Sequence, residues 1–179
     1  MDQRIKSLEK FIKDITEYSR NNRVAVHEEV VVVHDLVHEV WESLRYGPEA
    51  DQITLECNFE RTLSVRTDRE RIKIILSNLI SNALRYHDLE KTNRYVKVNA
   101  YSKDKSFILE IEDNGQGIED EHKSRVFDMF FRANEKSIGS GLGLYIVKEA
   151  LEKISGIIQV NSRIKEGSVF TIRLPFKVS

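Results

Sequence analysis

Two amides and a guanidinium share one edge of a helix in the middle of this chain. Residues 68–86 read D-R-E-R-I-K-I-I-L-S-N-L-I-S-N-A-L-R-Y, with Ile72, Leu76, Leu79 and Ala83 at the i, i+4, i+7, i+11 spacing of one helical face. At roughly 100° per residue, Asn78, Asn82 and Arg85 fall within about 60° of one another, beside that apolar stripe. Asparagine is a poor helix former because its side chain competes for backbone hydrogen bonds. Two of them in mid-helix therefore point to a use for their amides. Amide oxygens suit a hard cation such as Mg²⁺, and a nearby arginine suits phosphate. A polar stripe on a half-buried helix would carry the same residues, and this stretch alone leaves both readings open.

Three stretches downstream add to it. Asp113-Asn114-Gly115-Gln116-Gly117-Ile118 follows an alternating strand. A carboxylate there can accept from the exocyclic amine of adenine, whereas the carbonyl of guanine would be repelled. Val126-Phe127-Asp128-Met129-Phe130-Phe131-Arg132 supplies an apolar cluster and a cation. Gly139-Ser140-Gly141-Leu142-Gly143-Leu144 precedes a helical pattern, so its amides and the helix N-terminus can hold an anion. Its third glycine comes one residue too early for a dinucleotide fingerprint, and no Gly-Lys-Ser/Thr phosphate loop is present.

In order and spacing these four stretches resemble the N, G1, F and G2 boxes of the ATP-binding catalytic domain of bacterial sensor histidine kinases, in the gyrase, heat-shock chaperone, histidine kinase and MutL superfamily. The resemblance runs from about Val30 to Pro175. It implies ATP and Mg²⁺ as cofactors and a two-layer α/β sandwich, a mixed sheet with helices on one face, as the fold. It makes Asn82 the first choice of Mg²⁺ ligand, with Asn78 helping to hold the ion or the phosphates. Arg85 is then placed near the phosphates and Tyr86 against adenine. Asp113 selects the base, and Gly115, Gly117 and Ile118 line the adjoining loop. The twenty residues 119–138 become a lid, whose Arg132 reaches toward the phosphates, with Lys136 a weaker candidate. Gly139, Ser140, Gly141, Leu142, Gly143 and Leu144 form the triphosphate loop. On this reading Asn78, Asn82 and Arg132 carry the catalysis.

What is absent matters as much. The family's phosphoacceptor histidine, followed by an acid and then a proline, has no match. His27-Glu28, His34-Asp35 and His38-Glu39 lack the proline. The chain is therefore expected to be a catalytic fragment, excised from a longer kinase and unable to phosphorylate itself alone. Residues 1–22 would be the end of a dimerisation helix and its linker, since Ile5, Leu8, Ile12 and Ile15 keep a coiled-coil spacing that Tyr18 extends and Glu17-Tyr18-Ser19-Arg20 resembles the tail of that helix. A helix packed back on its own domain would carry the same seam. Residues 23–179 would be the catalytic domain. The implied partners are the histidine-bearing dimerisation domain and a response regulator receiver domain. The parent would be a homodimer in the cytoplasm, free or membrane-anchored. Three alternatives stay open: a serine kinase of the anti-sigma-factor type, a nucleotide-responsive module without catalysis, and, least favoured, a gyrase-like clamp. The clamp would have an acid one turn before the metal-binding asparagine, where Asn78 stands.

Composition sets the bounds. With 40% apolar and 32% charged residues in 179, the chain suits one folded domain with a small appendage. A net charge of −1 offers no basic field for nucleic acid. The single cysteine, Cys57, excludes an internal disulfide and falls on the Ile53, Leu55, Phe59 face of a strand as a buried structural thiol. The remaining pattern predicts helices over 2–20, 35–44 and 142–154. Strands are predicted at 29–33, 53–59, 63–66, 95–101, 107–112, 156–162 and 168–174. Turns fall at 102–105 and 165–167, and a linker at 21–28.

Overall fold

The computed structural model describes residues 3–45, 52–133 and 140–176. Helix α3 (Arg69–Arg85) is its axis. The predicted apolar stripe is buried: Ile72, Ile75, Leu76, Leu79 and Ile80 are at most 3% exposed. Asp68 caps the helix by accepting from the Arg71 amide at 3.0 Å.

Around α3 lie α2 (Val33–Leu44) and α5 (Gly143–Lys153), which bury Leu36, Val37, Val40 and Trp41, and Ile146, Val147, Ala150 and Leu151, respectively. The three helices cover one face of a five-stranded sheet in the order β2-β4-β5-β7-β6. Its strands are β2 (Ile53–Asn58), β4 (Arg94–Lys103), β5 (Ser106–Asp113), β6 (Ile157–Arg163) and β7 (Gly167–Pro175). Alternate residues Val96, Val98 and Ala100, Phe107, Leu109 and Ile111, and Phe170, Ile172 and Leu174 point into the helical layer. Burying each such side chain contributes about 1.5–3 kcal/mol. Strands β2 and β4 are parallel and the other pairs antiparallel, so the sheet is mixed as expected. Cys57 is half-buried on the expected face, and burial pushes its thiol up.

Four details differ from the sequence pattern. First, β1 (Glu29–Val32) and β3 (Ser64–Thr67) leave the main sheet and pair only with each other. They are four residues long and bury only Val31 and, on β3, Val65 and Thr67. Second, the β4–β5 turn is two residues, not four. Asp104 and Lys105 take φ of 49° and 56°, a two-residue turn with both residues left-handed, whose twist matches that of the strands. The ladder therefore runs to Lys103 opposite Ser106. Third, a short helix α4 (Asp120–Lys123) forms within the expected lid.

Fourth, α1 (Gln3–Arg23) runs three residues into the expected linker. Arg71 explains it: its Nη2 donates to the carbonyls of Asn21 at 3.0 Å and Val24 at 2.7 Å, satisfying acceptors that a helix end leaves open. The helix rests on its own domain through Phe11, Asp14, Tyr18 and Asn21. Of its coiled-coil residues, Leu8 and Ile12 stay exposed at 60% and 57%, and Ile15, beside the docked Phe11 and Tyr18, at 37%.

Burial works against the Asp68 carboxylate, but amides of His27 and Arg71 and the Arg71 guanidinium hold it below the usual aspartate range. Asp68→Ala removes the cap and leaves Arg71 buried without its counter-ion. Urea unfolding is expected to show a loss of about 3–5 kcal/mol; a loss under about 1 kcal/mol would mean the pair is dispensable. Because the folded value is depressed, the contribution is complete above the unfolded value of 3.8 and fades as the pH falls below it. The gap between parent and variant should therefore narrow in acid.

Candidate functional site

A cavity of about 720 Å³ opens between α3, the N-terminus of α5 and the turn joining β6 to β7. That is the range of small-molecule sites. From α3 and its C-cap come Asn78, Asn82, Arg85 and Tyr86; from the end of β5, Asp113, and from the loop after it, Gly117 and Ile118. The lid gives Arg132, and the start of α5 gives Ser140, Gly141, Gly143 and Leu144. Residues far apart in sequence thus meet in one space. Gly115 and Leu142 stand behind the wall instead: a Cβ on Gly115 would lie 2.4 Å from the Tyr86 carbonyl, and Leu142 is 1% exposed. Lys136 and Gly139 lie outside the described residues.

The two asparagines present their amides differently. Asn78 Nδ2 donates to the Ile74 carbonyl at 2.9 Å within its own helix. Its Oδ1 is turned to Gly143, where a Cβ would come within 2.9 Å. The bare glycine keeps that oxygen accessible at the helix N-terminus. The Asn82 amide, half-buried and on the cavity wall, has no hydrogen-bond partner among the described residues. Two amide oxygens one turn apart are a donor set suited to a hard cation.

The other end of the cavity is built on Asp113. Burial pushes its carboxyl up to about 6, against amide donation from Gly115 (2.8 Å to Oδ1) and Ser168 and the charge of Lys91. The following loop folds tightly over the β6–β7 turn. Gly117 takes φ of +75°, and a Cβ there would sit 2.0 Å from the Arg163 carbonyl, so no other residue fits. The Lys165 amide donates to Gln116 O at 2.8 Å, and the Ile118 amide donates to Ser162 Oγ at 2.8 Å.

Near α5, Ser140 Oγ accepts from the Leu142 amide at 3.2 Å and donates to Asp14 of α1. The apolar cluster of the lid is divided. Phe127 meets Phe170 edge-on at 6.4 Å, and Phe131 lines the cavity beside His122 at 5.6 Å. Met129 and Phe130 are 41% and 52% exposed, and Phe130 stacks on Phe11 of α1 at 6.5 Å. The arrangement can hold a planar base at Asp113, an anion near Arg85, Arg132 and the α5 amides, and a cation at the asparagines.

Sequence reasoning missed the wall made by Leu89, His122, Ile164, Lys165 and Ser168. It read residues 165–167 as a turn, but no local signal shows that this turn folds back onto Gly117.

Residues 67–178 match the family described as histidine kinase-, DNA gyrase B-, and HSP90-like ATPase. The chain belongs to that family, and its fold is that of the ATP-binding catalytic domain of sensor histidine kinases. The sensor protein SrrB of Staphylococcus aureus is 31% identical over 95% of this chain, which spans 30% of that protein's length. The solved histidine kinase AdeS of Acinetobacter baumannii superposes with a TM-score of 0.77 at 26% identity, covering 97% of this chain and 81% of that one. The mycobacterial sensor histidine kinase MprB gives 0.70 at 27% identity, covering 83% of this chain and 97% of that one.

A carboxyl with a raised folded value costs stability when ionised. The cost is absent below the unfolded value of 3.8, grows as the pH rises, and is complete above about 6. Asp113→Asn keeps an acceptor for the Gly115 amide and removes the charge. Thermal unfolding of the free protein at pH 8 should show it more stable than the parent, by up to about 3 kcal/mol, with the advantage gone at pH 4. An unchanged or lower melting temperature at pH 8 would contradict the strained carboxylate.

Proposed function

We propose that this chain binds Mg-ATP and delivers the γ-phosphoryl group to a histidine on a dimerisation domain, as the catalytic part of a two-component sensor histidine kinase. The observation that carries the reading is the meeting, in one cavity, of Asn78 and Asn82, Asp113, Arg132 and the glycines before α5. Asp113, ionised, accepts from the adenine amine and disfavours guanine. Tyr86 and Ile118 flank the base. Arg85, Arg132 and the amides of Gly141 and Gly143 hold and orient the phosphates, which is most of what phosphoryl transfer asks of a protein. Asn78 and Asn82 would hold Mg²⁺, which neutralises charge on the phosphates. Lys136 and the rest of the lid would close over the triphosphate and exclude water, with Gly139 in the triphosphate loop. The acceptor histidine attacks the γ-phosphorus, ADP leaves, and the acid beside that histidine assists.

Residues 1–22 are read as the end of the dimerisation helix and its linker, and 23–179 as the catalytic domain. The exposed Leu8 and Ile12 support the first assignment, since they leave part of the seam uncovered while the helix packs through Phe11, Asp14 and Tyr18. The partners are then the dimerisation domain of the same protein and a response regulator receiver domain, in a homodimeric parent. No helix among the described residues is long and apolar enough to cross a membrane; the cytoplasm is the proposed location of this part.

The test supplies a dimerisation domain carrying the acceptor histidine, together with Mg²⁺ and γ-labelled ATP. Label stable to alkali and labile to acid on the supplied domain is expected, and Asn82→Ala should lose at least about tenfold in Mg-ATP affinity by calorimetry. Binding without transfer would favour a nucleotide-responsive module, and acid-stable label on serine would favour a serine kinase. Absence of binding by the parent would remove the proposal altogether.

A further inference from the structure

Lys91 lies outside the four sequence boxes and does not line the cavity, yet it joins the two loops that frame Asp113. Its Nζ donates to the carbonyl of Asn114, the residue after Asp113, at 2.7 Å. The same Nζ lies 3.5 Å from the carbonyl of Glu166, which precedes Gly167 and Ser168. Ser168 is the register partner of Asp113 and donates its amide to that carboxylate. The ammonium group therefore ties together the backbone on both sides of the acid.

Its own segment is fixed. The Lys91 amide donates to Asp88 O at 3.3 Å, and the Lys91 carbonyl accepts from Arg94 Nε at 2.9 Å. Arg94 in turn donates to Leu89 O at 2.8 Å and to Gln52 Oε1 at 2.6 Å. A lysine on a free loop would be a screened surface charge. This one is half-buried and held at both ends, so its charge acts at a defined place.

We propose that Lys91 is the positioning residue of the base pocket: it clamps the two loops beside Asp113 and holds that carboxylate ready to accept from adenine. The proposal rests on the reading of the cavity as an adenine nucleotide site. A buried acid that is half-protonated near neutrality is a poor base reader, because its neutral form offers a donor where the amine also donates. Lys91 is the strongest charge acting to ionise Asp113. Glu112 on the same strand opposes it. From β4, Tyr95 donates its hydroxyl to Glu112 at 2.9 Å; burial, that bond and the nearby carboxylates, Asp113 least among them, push it up to about 12. Across the cavity Asp88, Glu90 and Glu119 favour the proton, and Arg85, Arg132 and Lys165 oppose it. His122 shares the cavity, but it is common to every variant compared below, as is protonation of the nucleotide itself.

Three substitutions separate charge from scaffolding. Lys91→Arg keeps a cation and donors, Lys91→Gln keeps a donor without charge, and Lys91→Met keeps neither. Mg-ATP affinity is measured by calorimetry from pH 5 to 8, and the Asp113 carboxyl is titrated by carbon NMR in the nucleotide-free protein. In the parent, affinity is expected to fall as the pH drops through about 6. In Lys91→Gln and Lys91→Met the fall should begin roughly half a pH unit or more higher, about a threefold loss at a fixed acid pH. The NMR midpoint should move by the same amount. Lys91→Arg should follow the parent, and Lys91→Met alone should also weaken binding at pH 8. Parental midpoints in the glutamine and methionine variants would overturn the proposal, and so would an arginine variant that shifts as far as methionine. If the parent binds no ATP, the nucleotide reading fails by itself, and the NMR titration still decides whether Lys91 governs Asp113.

Discussion

The structure depends on the buried pair Asp68 and Arg71 at the start of α3. The aspartate caps the helix that carries Asn78, Asn82 and Arg85, and also accepts from the amide of His27 at 2.9 Å. The guanidinium reaches back to the end of α1. One ion pair, 4% and 5% exposed at its side chains, therefore sets where the central helix begins and where the N-terminal helix stops. The junction is not fully satisfied. Arg71 Nε and both polar atoms of the Asn21 amide have no partner among the described residues, at a cost of about 1–3 kcal/mol per group. The large core around α3 offsets it.

From that fixed start the site follows by geometry. The apolar side of α3 is buried against the sheet, so its amide edge must face the N-terminus of α5. There Gly143, without a Cβ, lets Asn78 Oδ1 come close. At the far end, β5 delivers Asp113 to the same cavity, where burial raises its carboxyl against the amides of Gly115 and Ser168 and the charge of Lys91. The two ends of the cavity make opposite demands. On the proposed reading the phosphate end needs unshielded amides and cations, whereas the base end needs a dry carboxylate that remains charged.

The N-terminal helix touches this machinery at three points: Phe11 on Phe130, Asp14 on Ser140, and Tyr18 near Tyr145 at 5.8 Å. Each lies in the lid or at the start of α5. The helix is therefore packed at the α5 end of the cavity, where the phosphates are proposed to lie, and not beside Asp113.

Much of this was legible in the residues themselves, for a physical reason. The α3 stripe and its two amides are written at helical period. The β5 alternation ending at Asp113 and the glycine-rich stretch before α5 are equally local. Periodicity and turn chemistry act over a few residues, so those elements could be read without coordinates, and the family resemblance supplied the candidate site residues on them. What only tertiary structure decided is non-local. It separated β1 and β3 into their own sheet, chose which face of α1 docks, and set Gly115 and Leu142 behind the cavity wall. It also folded the 164–168 turn against Gly117 and brought Lys91 to Asn114, twenty-three residues away. Such contacts depend on shape and on satisfying buried carbonyls and charges across the chain, and a one-dimensional pattern carries neither.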